Sequence, residues 1–166
     1  IFFSFFVLDL IEKVLKLGFE KEDIIESLKF KNAPSRARRI AHINDIIVST
    51  VRTYLRAMDI IDTDEKSSYI YSTGFAILTP NEKVNPHYLI FVCKSEYFTT
   101  QVANLSSGIN YPSINTTNLN GIFVFLPDKE EQFRIANFLD KKCAEIDELI
   151  ALQEQMIAQL NTYKQA

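Results

Sequence analysis

The longest regular pattern of hydrophobic positions lies at the end of the chain, between Leu126 and Lys164. Pro127 favours an extended residue before it, and Asp128 followed by Glu131 is typical of a helix start with a capping box. Beyond that start a seam repeats in alternating four- and three-residue steps, the heptad spacing of a coiled coil. Its members are Ile135, Leu139, Lys142, Ile146, Leu149, Gln153, Met156 and Leu160.

A helix of about 38 residues would measure about 57 Å. A core built from the remaining residues cannot cover a rod of that length. The pattern therefore predicts a second helix or a partner protein alongside it, with Lys142 and Gln153 as polar seam positions that fix the register.

The preceding residues mix helical and strand-like spacing, which predicts a compact domain over residues 1–126 ahead of the helix at 127–166. Helices are predicted over residues 1–30 and 87–105. Strands are predicted by β-branched or alternating runs at 46–51, 60–61, 69–78 with a bulge at Gly74, and 121–126, with a polar loop at 62–68. The fold class is α+β: a mixed globular domain with a twisted β-sheet and helices, then a long C-terminal coiled-coil helix.

The charge of the chain is unevenly distributed. The whole chain carries 18 basic and 21 acidic residues, which by itself argues against a nucleic-acid partner. Between Lys29 and Arg56, however, seven basic residues face a single acidic one, a net of +6, while the rest of the chain sums to −9. A local basic cluster matters more than net charge for binding a polyanion.

Two cysteines, Cys93 and Cys143, give no disulfide framework, so we expect a reducing, cytoplasmic location. The apolar opening at residues 1–8 is too short to cross a bilayer and lacks the features of a signal peptide, so no membrane role is expected. The chain begins at Ile1 without an initiator methionine, and we expect a fragment of a longer protein.

No motif for catalysis, cofactor or metal is visible. The chain has no glycine-rich nucleotide loop, no serine nucleophile elbow, and no Asn-Pro-Pro-aromatic motif of an amino-methyltransferase. Its histidines and cysteines are scattered without metal-ligand spacing. The closest approach to a nuclease Glu-x-Lys pair is Asp64-Glu65-Lys66, in the predicted polar loop. The chain is therefore predicted to be a binding protein and not an enzyme.

Three segments are candidates for contact with DNA. The basic segment 29–41 is either a solvated loop or a phosphate-binding loop. Two arginines and a tyrosine follow directly on the strand at 46–51, which is either a binding surface or a mere exposed strand end. The segment 106–115 is either an ordinary turn cluster or a set of amide and aromatic side chains that read base edges. The candidate DNA-binding residues are Lys31, Ser35, Arg36, Arg38, Arg39, Arg52, Tyr54, Arg56, Asn110 and Tyr111.

The sequence resembles the specificity subunit of type I restriction–modification systems, and three segments carry the resemblance. Residues 45–52 (DIIVSTVR) are similar to a strand of that family, and residues 72–78 (STGFAIL) form the second segment. The third and most specific runs from Ser107 to Asp140, where Leu-Pro, Glu-Gln and Ile-x-x-x-Leu mark the join of recognition domain and long helix. Two positions depart from the family's pattern: Asn44 replaces a glycine, and Thr53 replaces a proline.

The resemblance implies a target recognition domain that reads one half of a split site in double-stranded DNA. It implies that the long helix pairs antiparallel with another, from a second recognition half or from a homodimer of half-size subunits. It also implies methyltransferase (modification) subunits, which bind S-adenosylmethionine, and a restriction (motor-nuclease) subunit as partners. This chain itself would need no cofactor. Two alternatives remain open: a recognition module fused to a restriction–methyltransferase chain, and a coiled-coil interaction protein that does not bind DNA.

Overall fold

The computed structural model describes residues 2–3, 28–29 and 32–165. The chain divides into two compact units, with the boundary between Leu126 and Pro127. Among the described residues, no helix combines the length and the apolar character needed to cross a membrane.

The strands of the first unit form three small antiparallel sheets. They are β1 (Phe2–Phe3), β2 (Leu28–Lys29), β3 (Ala37–Ile40), β4 (Ile46–Ser49), β5 (Met58–Ile60), β6 (Ile70–Ser72) and β7 (Phe75–Leu78). Strand β1 pairs with β2, β3 pairs with β6, and β4 lies between β5 and β7. The predicted strand at 46–51 is therefore confirmed as the centre of the three-stranded sheet.

Five α-helices and one 3-10 turn complete the described part of the chain. The helices are α1 (Asp64–Ser67), α2 (Pro86–Lys94), α3 (Glu96–Leu105), α4 (Thr116–Asn120) and α5 (Lys129–Gln165), and the 3-10 turn is Thr53–Leu55.

Strand β4 is buried on both of its faces, and this makes it the centre of the core. Ile46 and Val48 join one cluster with the apolar faces of α2 and α3, which includes Ile90 and Phe98. Ile47 points the other way, into a second cluster that contains Tyr71. Alternate side chains of a strand point to opposite faces, so a continuous apolar run fills both clusters at once.

Asn44, just before β4, has a φ of 73°. Glycine suits this left-handed conformation best, and asparagine is among the few other residues that adopt it readily. Asn44, in place of the glycine that the resemblance would imply, is therefore compatible with the turn. Asp45, buried beside it, accepts a hydrogen bond from the His42 amide at 2.8 Å and fixes the same turn.

Helix α5 runs without interruption over 37 residues, about 55 Å. Its predicted start is confirmed, since the Asp128 carboxylate accepts a hydrogen bond from the Glu131 amide at 2.9 Å. The Glu131 carboxylate pairs with Arg134. The Gln132 side chain donates to the Pro127 carbonyl at 2.8 Å and reinforces this first turn.

Five predictions of secondary structure were wrong. The predicted strand at 69–78 is two strands, β6 and β7, separated by a turn at Thr73–Gly74. The predicted loop at 62–68 contains α1, whose start is capped by the Thr63 hydroxyl. The helix predicted over 87–105 is two helices, because Ser95 is extended at ψ 152° and caps α3. The helix predicted over residues 1–30 is wrong at β1 and β2, and its residues 4–27 lie outside the described part.

The fifth is the strand predicted at 121–126, which forms no regular secondary structure and pairs with no strand among the described residues. Its backbone groups are bound by side chains instead of a neighbouring strand. The Gln101 amide donates to the Phe123 carbonyl at 3.1 Å and accepts from the Phe123 amide at 3.3 Å. The Tyr88 hydroxyl donates to the Phe125 carbonyl at 2.9 Å. Phe123 and Phe125 are 79% and 76% exposed.

Candidate nucleic-acid interface

The chain leaves β4 through a tightly fixed turn that presents two arginines. Arg52 and Arg56 flank the 3-10 turn and both adopt the left-handed conformation, with φ of 50° and 51°. Such backbone costs energy in residues other than glycine and needs support from its surroundings. Thr53, buried between them, provides it, because its hydroxyl lies 2.9 Å from the Ser106 hydroxyl at the end of α3.

A short hairpin packs against this turn. Ser107 and Ser113 exchange both backbone hydrogen bonds, at 2.9 and 2.8 Å, and close the hairpin 107–113. The hairpin is joined to the β4 end by further backbone hydrogen bonds, from the Ile114 amide to the Thr50 carbonyl at 2.9 Å and from the Thr53 amide to the Pro112 carbonyl at 3.4 Å.

The hairpin places Tyr111 beneath Arg52. The Arg52 guanidinium carbon lies 4.9 Å from the centre of the Tyr111 ring, a cation–π geometry. This contact holds the guanidinium but uses none of its N–H donors, and no side-chain hydrogen bond of Arg52 occurs among the described residues. Tyr111 is 65% exposed, so the pair lies at the surface.

The turn between β6 and β7 forms a third segment of the same surface. The Gly74 carbonyl accepts hydrogen bonds from the amide and the hydroxyl of Thr50, at 2.8 and 2.9 Å. A Cβ at Gly74 would lie 3.3 Å from Val51 Cγ2, so the two segments are in close contact. The Thr73 amide in turn donates to the Arg36 carbonyl at 2.8 Å.

We call residues 50–56, 73–74 and 107–113 the three-segment surface. Backbone hydrogen bonds join its segments, and Arg36 adjoins it through Thr73. The structure thus brings together candidates that are far apart in sequence: Arg36, Arg52, Tyr54, Arg56, Asn110 and Tyr111. Tyr54 and Asn110 are exposed on it.

Two of the three arginines of the basic segment lie on a strand and not in a loop, which corrects the predicted loop at their positions, whereas Arg36 lies in the turn before that strand. Arg38 and Arg39 belong to β3, where Arg39 is opposite Tyr71 of β6. Both are exposed, as is Ser35 in the turn that precedes the strand. Arg38 donates to the carbonyl of its own neighbour Ala37 at 2.8 Å. Lys31 lies outside the described residues.

Arg56 differs from Arg52 in having an acidic partner. Its guanidinium nitrogens Nη1 and Nη2 bind the two carboxylate oxygens of Glu96, at 2.7 and 3.0 Å. The hydrogen bonds from Arg56 and its positive charge hold the pKa of the Glu96 carboxyl below its ordinary value. Thr100 supports the same carboxylate at 3.4 Å.

Two residues of this region were not identified from the sequence. Ile109, at the tip of the hairpin, is fully exposed, and Glu96 binds a candidate DNA-contacting arginine. The preceding Gly108 has a φ of 108°, and a glycine at this position was a signal for the tight hairpin. The sequence held no signal that Glu96 would bind Arg56. Among the described residues, no group of histidine, cysteine, aspartate and glutamate side chains is arranged to hold a metal ion.

The residues predicted to line the helix seam lie along α5. Ile135 and Leu139 are half-buried, whereas Ile146, Leu149, Met156 and Leu160 are exposed large hydrophobics. The two polar seam residues, Lys142 and Gln153, are exposed as well, and Lys142 pairs with Glu145 one turn along the same helix at 2.6 Å.

Comparison with known proteins identifies the family to which the chain belongs. Residues 19–162 match the model of the type I restriction modification DNA specificity domain. The specificity subunit of the type I restriction enzyme StySPI from Salmonella potsdam is 30% identical over 89 residues, which cover 54% of this chain and 19% of that protein. The MjaVIII specificity subunit from Methanocaldococcus jannaschii is 30% identical over 103 residues, 62% of this chain and 23% of that protein.

Solved structures agree with the family match. The HsdS subunit from Thermoanaerobacter tengcongensis superposes with a TM-score of 0.73 at 25% identity, over 93% of this chain and 39% of that chain. A structure concerned with the assembly and conformational transition of the type I R-M system gives a TM-score of 0.76 at 25% identity and the same coverage. The S subunit from M. genitalium, at 14% identity and a TM-score of 0.58, supports the fold alone.

These comparisons confirm the predicted α+β fold with its long C-terminal helix. The chain spans only about a fifth of the curated relatives that it matches. The matched proteins are named as specificity subunits, which agrees with a DNA-recognition component that has no catalytic role. Since the family model matches most of its length, the chain belongs to the type I restriction–modification DNA specificity domain family.

Proposed function

We propose that this chain is a target recognition domain with its spacer helix, and that it reads one half of a bipartite site in double-stranded DNA. The observation that carries the proposal is the Arg52–Tyr111 pair, held on the three-segment surface of a chain from a DNA specificity family. The Arg52 guanidinium is oriented by a ring, and no described residue accepts a hydrogen bond from its side chain. Such a group can form two parallel hydrogen bonds to a guanine edge or to a phosphate.

The surrounding residues fall into two roles within this proposal. Arg36 and Arg39 contact phosphates, since both are exposed and neither has a side-chain partner among the described residues. Asn110 and Tyr111 face the groove beside Arg52. Ser35, Arg38 and Tyr54 provide further contacts around this surface, and Lys31, which lies outside the described residues, is a further candidate. Arg56 is also a candidate, and its acidic partner is Glu96.

We further propose that α5 pairs with an antiparallel helix from a second recognition half or a second copy of this chain. The exposed apolar stripe on a helix of about 55 Å supports this pairing, because exposing so long a row of apolar side chains to water is energetically unfavourable. Methyltransferase subunits carrying S-adenosylmethionine, and a restriction subunit, would then assemble on the paired helices. The activity belongs to those partners, and the complex acts on DNA in the cytoplasm.

The DNA contact is tested by charge reversal in the assembled complex. Arg36→Glu together with Arg39→Glu should weaken binding to random duplex DNA and lower the slope of log affinity against log salt by about 2. Fluorescence anisotropy over a salt series measures both quantities. Lys94→Glu, an exposed reversal on α2, is the control and should change the slope less. Equal effects of the two changes, or no DNA binding at low salt by the complex, would refute the proposed contact.

The helix pairing is tested separately. Ile146→Asp with Leu149→Asp should abolish assembly, measured as molar mass by light scattering, and leave the fold of residues 32–126 intact by circular dichroism. Ala151→Asp, on the same helix but outside the seam, is the control. Assembly that survives the double change would remove the support for the pairing. Methylation mapping of the host genome would show the bipartite site directly.

A further inference from the structure

The two arginines that flank the 3-10 turn, Arg52 and Arg56, differ in whether their side-chain N–H groups are hydrogen-bonded. Arg52 is stacked on a ring, and within the described part of the chain its side-chain donors have no acceptor. Arg56 has both terminal nitrogens bound to the Glu96 carboxylate, at 2.7 and 3.0 Å. This parallel arrangement is the one that an arginine uses to bind a phosphate. Glu96 therefore occupies the edge of Arg56 that DNA would use.

The backbones that carry the two partners are both fixed. The Arg56 amide donates to the Thr53 carbonyl at 3.1 Å in the left-handed cap of the turn. Glu96 opens α3, and the Ser95 hydroxyl caps that helix by accepting from the Phe98 amide at 3.3 Å. The two side chains therefore start from fixed positions within reach of each other.

The pair is nevertheless easy to open. The side chains are 52% and 73% exposed, and exposed ion pairs add little to stability. A backbone phosphate carries the same charge as the carboxylate, so its replacement of Glu96 keeps Arg56 paired with an anion. A guanine edge is neutral, and it competes less well against a carboxylate. The phosphate is thus the DNA group suited to this exchange.

We propose that Glu96 is an internal competitor that masks Arg56 until a correctly seated DNA phosphate displaces it. This inference rests on the proposed DNA-binding function and adds a residue that controls discrimination. Loosely bound, non-specific DNA leaves the Arg56–Glu96 pair closed. A cognate site, seated closely on the three-segment surface, opens the pair and gains the Arg56 contact. Glu96 thereby weakens non-specific binding more than cognate binding.

The experiment compares Glu96→Gln, Arg56→Gln and the double variant in the assembled complex, by fluorescence anisotropy on random and cognate duplexes. Glu96→Gln should tighten binding to random DNA about 3- to 10-fold and steepen its salt slope by up to about 0.9, the value of one phosphate contact. Cognate DNA should gain less, so the ratio of cognate to random affinity falls. In the double variant the gain should be absent, because it requires Arg56.

Glu82→Gln is the matched control, since it removes the same charge from an exposed residue that has no side-chain partner among the described residues. An equal gain from Glu82→Gln, or a gain that persists in the double variant, would mean general repulsion and overturn the inference. Weaker binding by Glu96→Gln would also overturn it, since Glu96 would then position Arg56 and not mask it. Failure of the wild-type complex to bind any duplex would overturn the proposed function as well.

Discussion

Gly108→Ala tests whether the hairpin 107–113 depends on a single backbone conformation. Gly108 has a φ of 108°, outside the region that residues with a Cβ adopt readily. An alanine Cβ at this position would also lie 3.0 Å from the Tyr111 carbonyl oxygen. That contact is tight against backbone, which cannot move aside as the end of a long side chain can. The substitution should therefore open the hairpin and separate Tyr111 from Arg52.

The magnitude follows from two comparable terms. A residue forced into such a conformation costs about 1–3 kcal/mol. The two hydrogen bonds between Ser107 and Ser113 contribute a net of about 1–3 kcal/mol in total. The strain is thus large enough to offset the closure of the hairpin. Hydrogen exchange of the Ser107 and Ser113 amides should accelerate about 5- to 150-fold, because each 1.4 kcal/mol is a factor of ten.

Amide exchange followed by NMR or mass spectrometry measures this effect directly, and DNA affinity should fall with it. Gly121→Ala is the matched control, since Gly121 has an ordinary helical φ of −85° and a Cβ there would lie 3.4 Å from its nearest neighbour. It should leave exchange in the hairpin unchanged. Unaltered protection of Ser107 and Ser113 in Gly108→Ala would show that the hairpin tolerates the strain, and the reasoning would fail.

Three further predictions concern the scaffold. Ile46→Ala should lower the free energy of unfolding by about 2–5 kcal/mol in urea titrations, because Ile46 is fully buried. Ile43→Ala, at an exposed position, should change the same free energy by less than about 0.5 kcal/mol. Similar values for the two variants would contradict the described core. Asn44→Ala should cost about 1 kcal/mol more than Asn44→Gly in the same assay, since only alanine opposes a positive φ. At pH 8 iodoacetamide should alkylate the exposed Cys143 and spare Cys93 until the protein unfolds, because burial raises the pKa of the Cys93 thiol to about 12. Peptide mass spectrometry measures the labelling of each cysteine, and rapid labelling of Cys93 would contradict its burial.

The elements that the sequence predicted well are those with one dominant pattern and one strong boundary. The β-branched run at Ile46 and the heptad spacing after Asp128 both have these features, and both elements form as predicted. Two of the errors arise where a polar side chain binds a backbone group. Ser95 breaks a helix whose hydrophobic spacing continues through it, and Gln101 binds the Phe123 backbone where a neighbouring strand was expected. The Ser95 cap is local but is hidden by the continuing hydrophobic spacing. The Gln101 contact joins residues far apart in sequence, so local propensity cannot reveal it.

The candidate site was predicted in its parts but not in its arrangement. Arg52 and Tyr111 both carried chemical signals for DNA binding. Their contact depends on the Ser107–Ser113 closure and on the hydrogen bonds that Thr50 makes to two distant segments. Glu96 carried no such signal, since an acidic residue at a helix start is expected for reasons of the helix dipole alone. Its partner becomes visible only in three dimensions.

The way in which the three-segment surface is joined has an evolutionary consequence. Its segments are connected mainly through amide and carbonyl groups, which almost every amino acid supplies equally. Outward-facing positions such as Asn110 and Ile109 therefore add little to folding, and exchanging them costs little stability. New side chains can be sampled there one at a time without passing through unfolded intermediates. Apart from the constrained glycine at 108, the scaffold is suited to exchanging its surface side chains, and under the proposed function the DNA sequence that they read, while its own architecture stays the same.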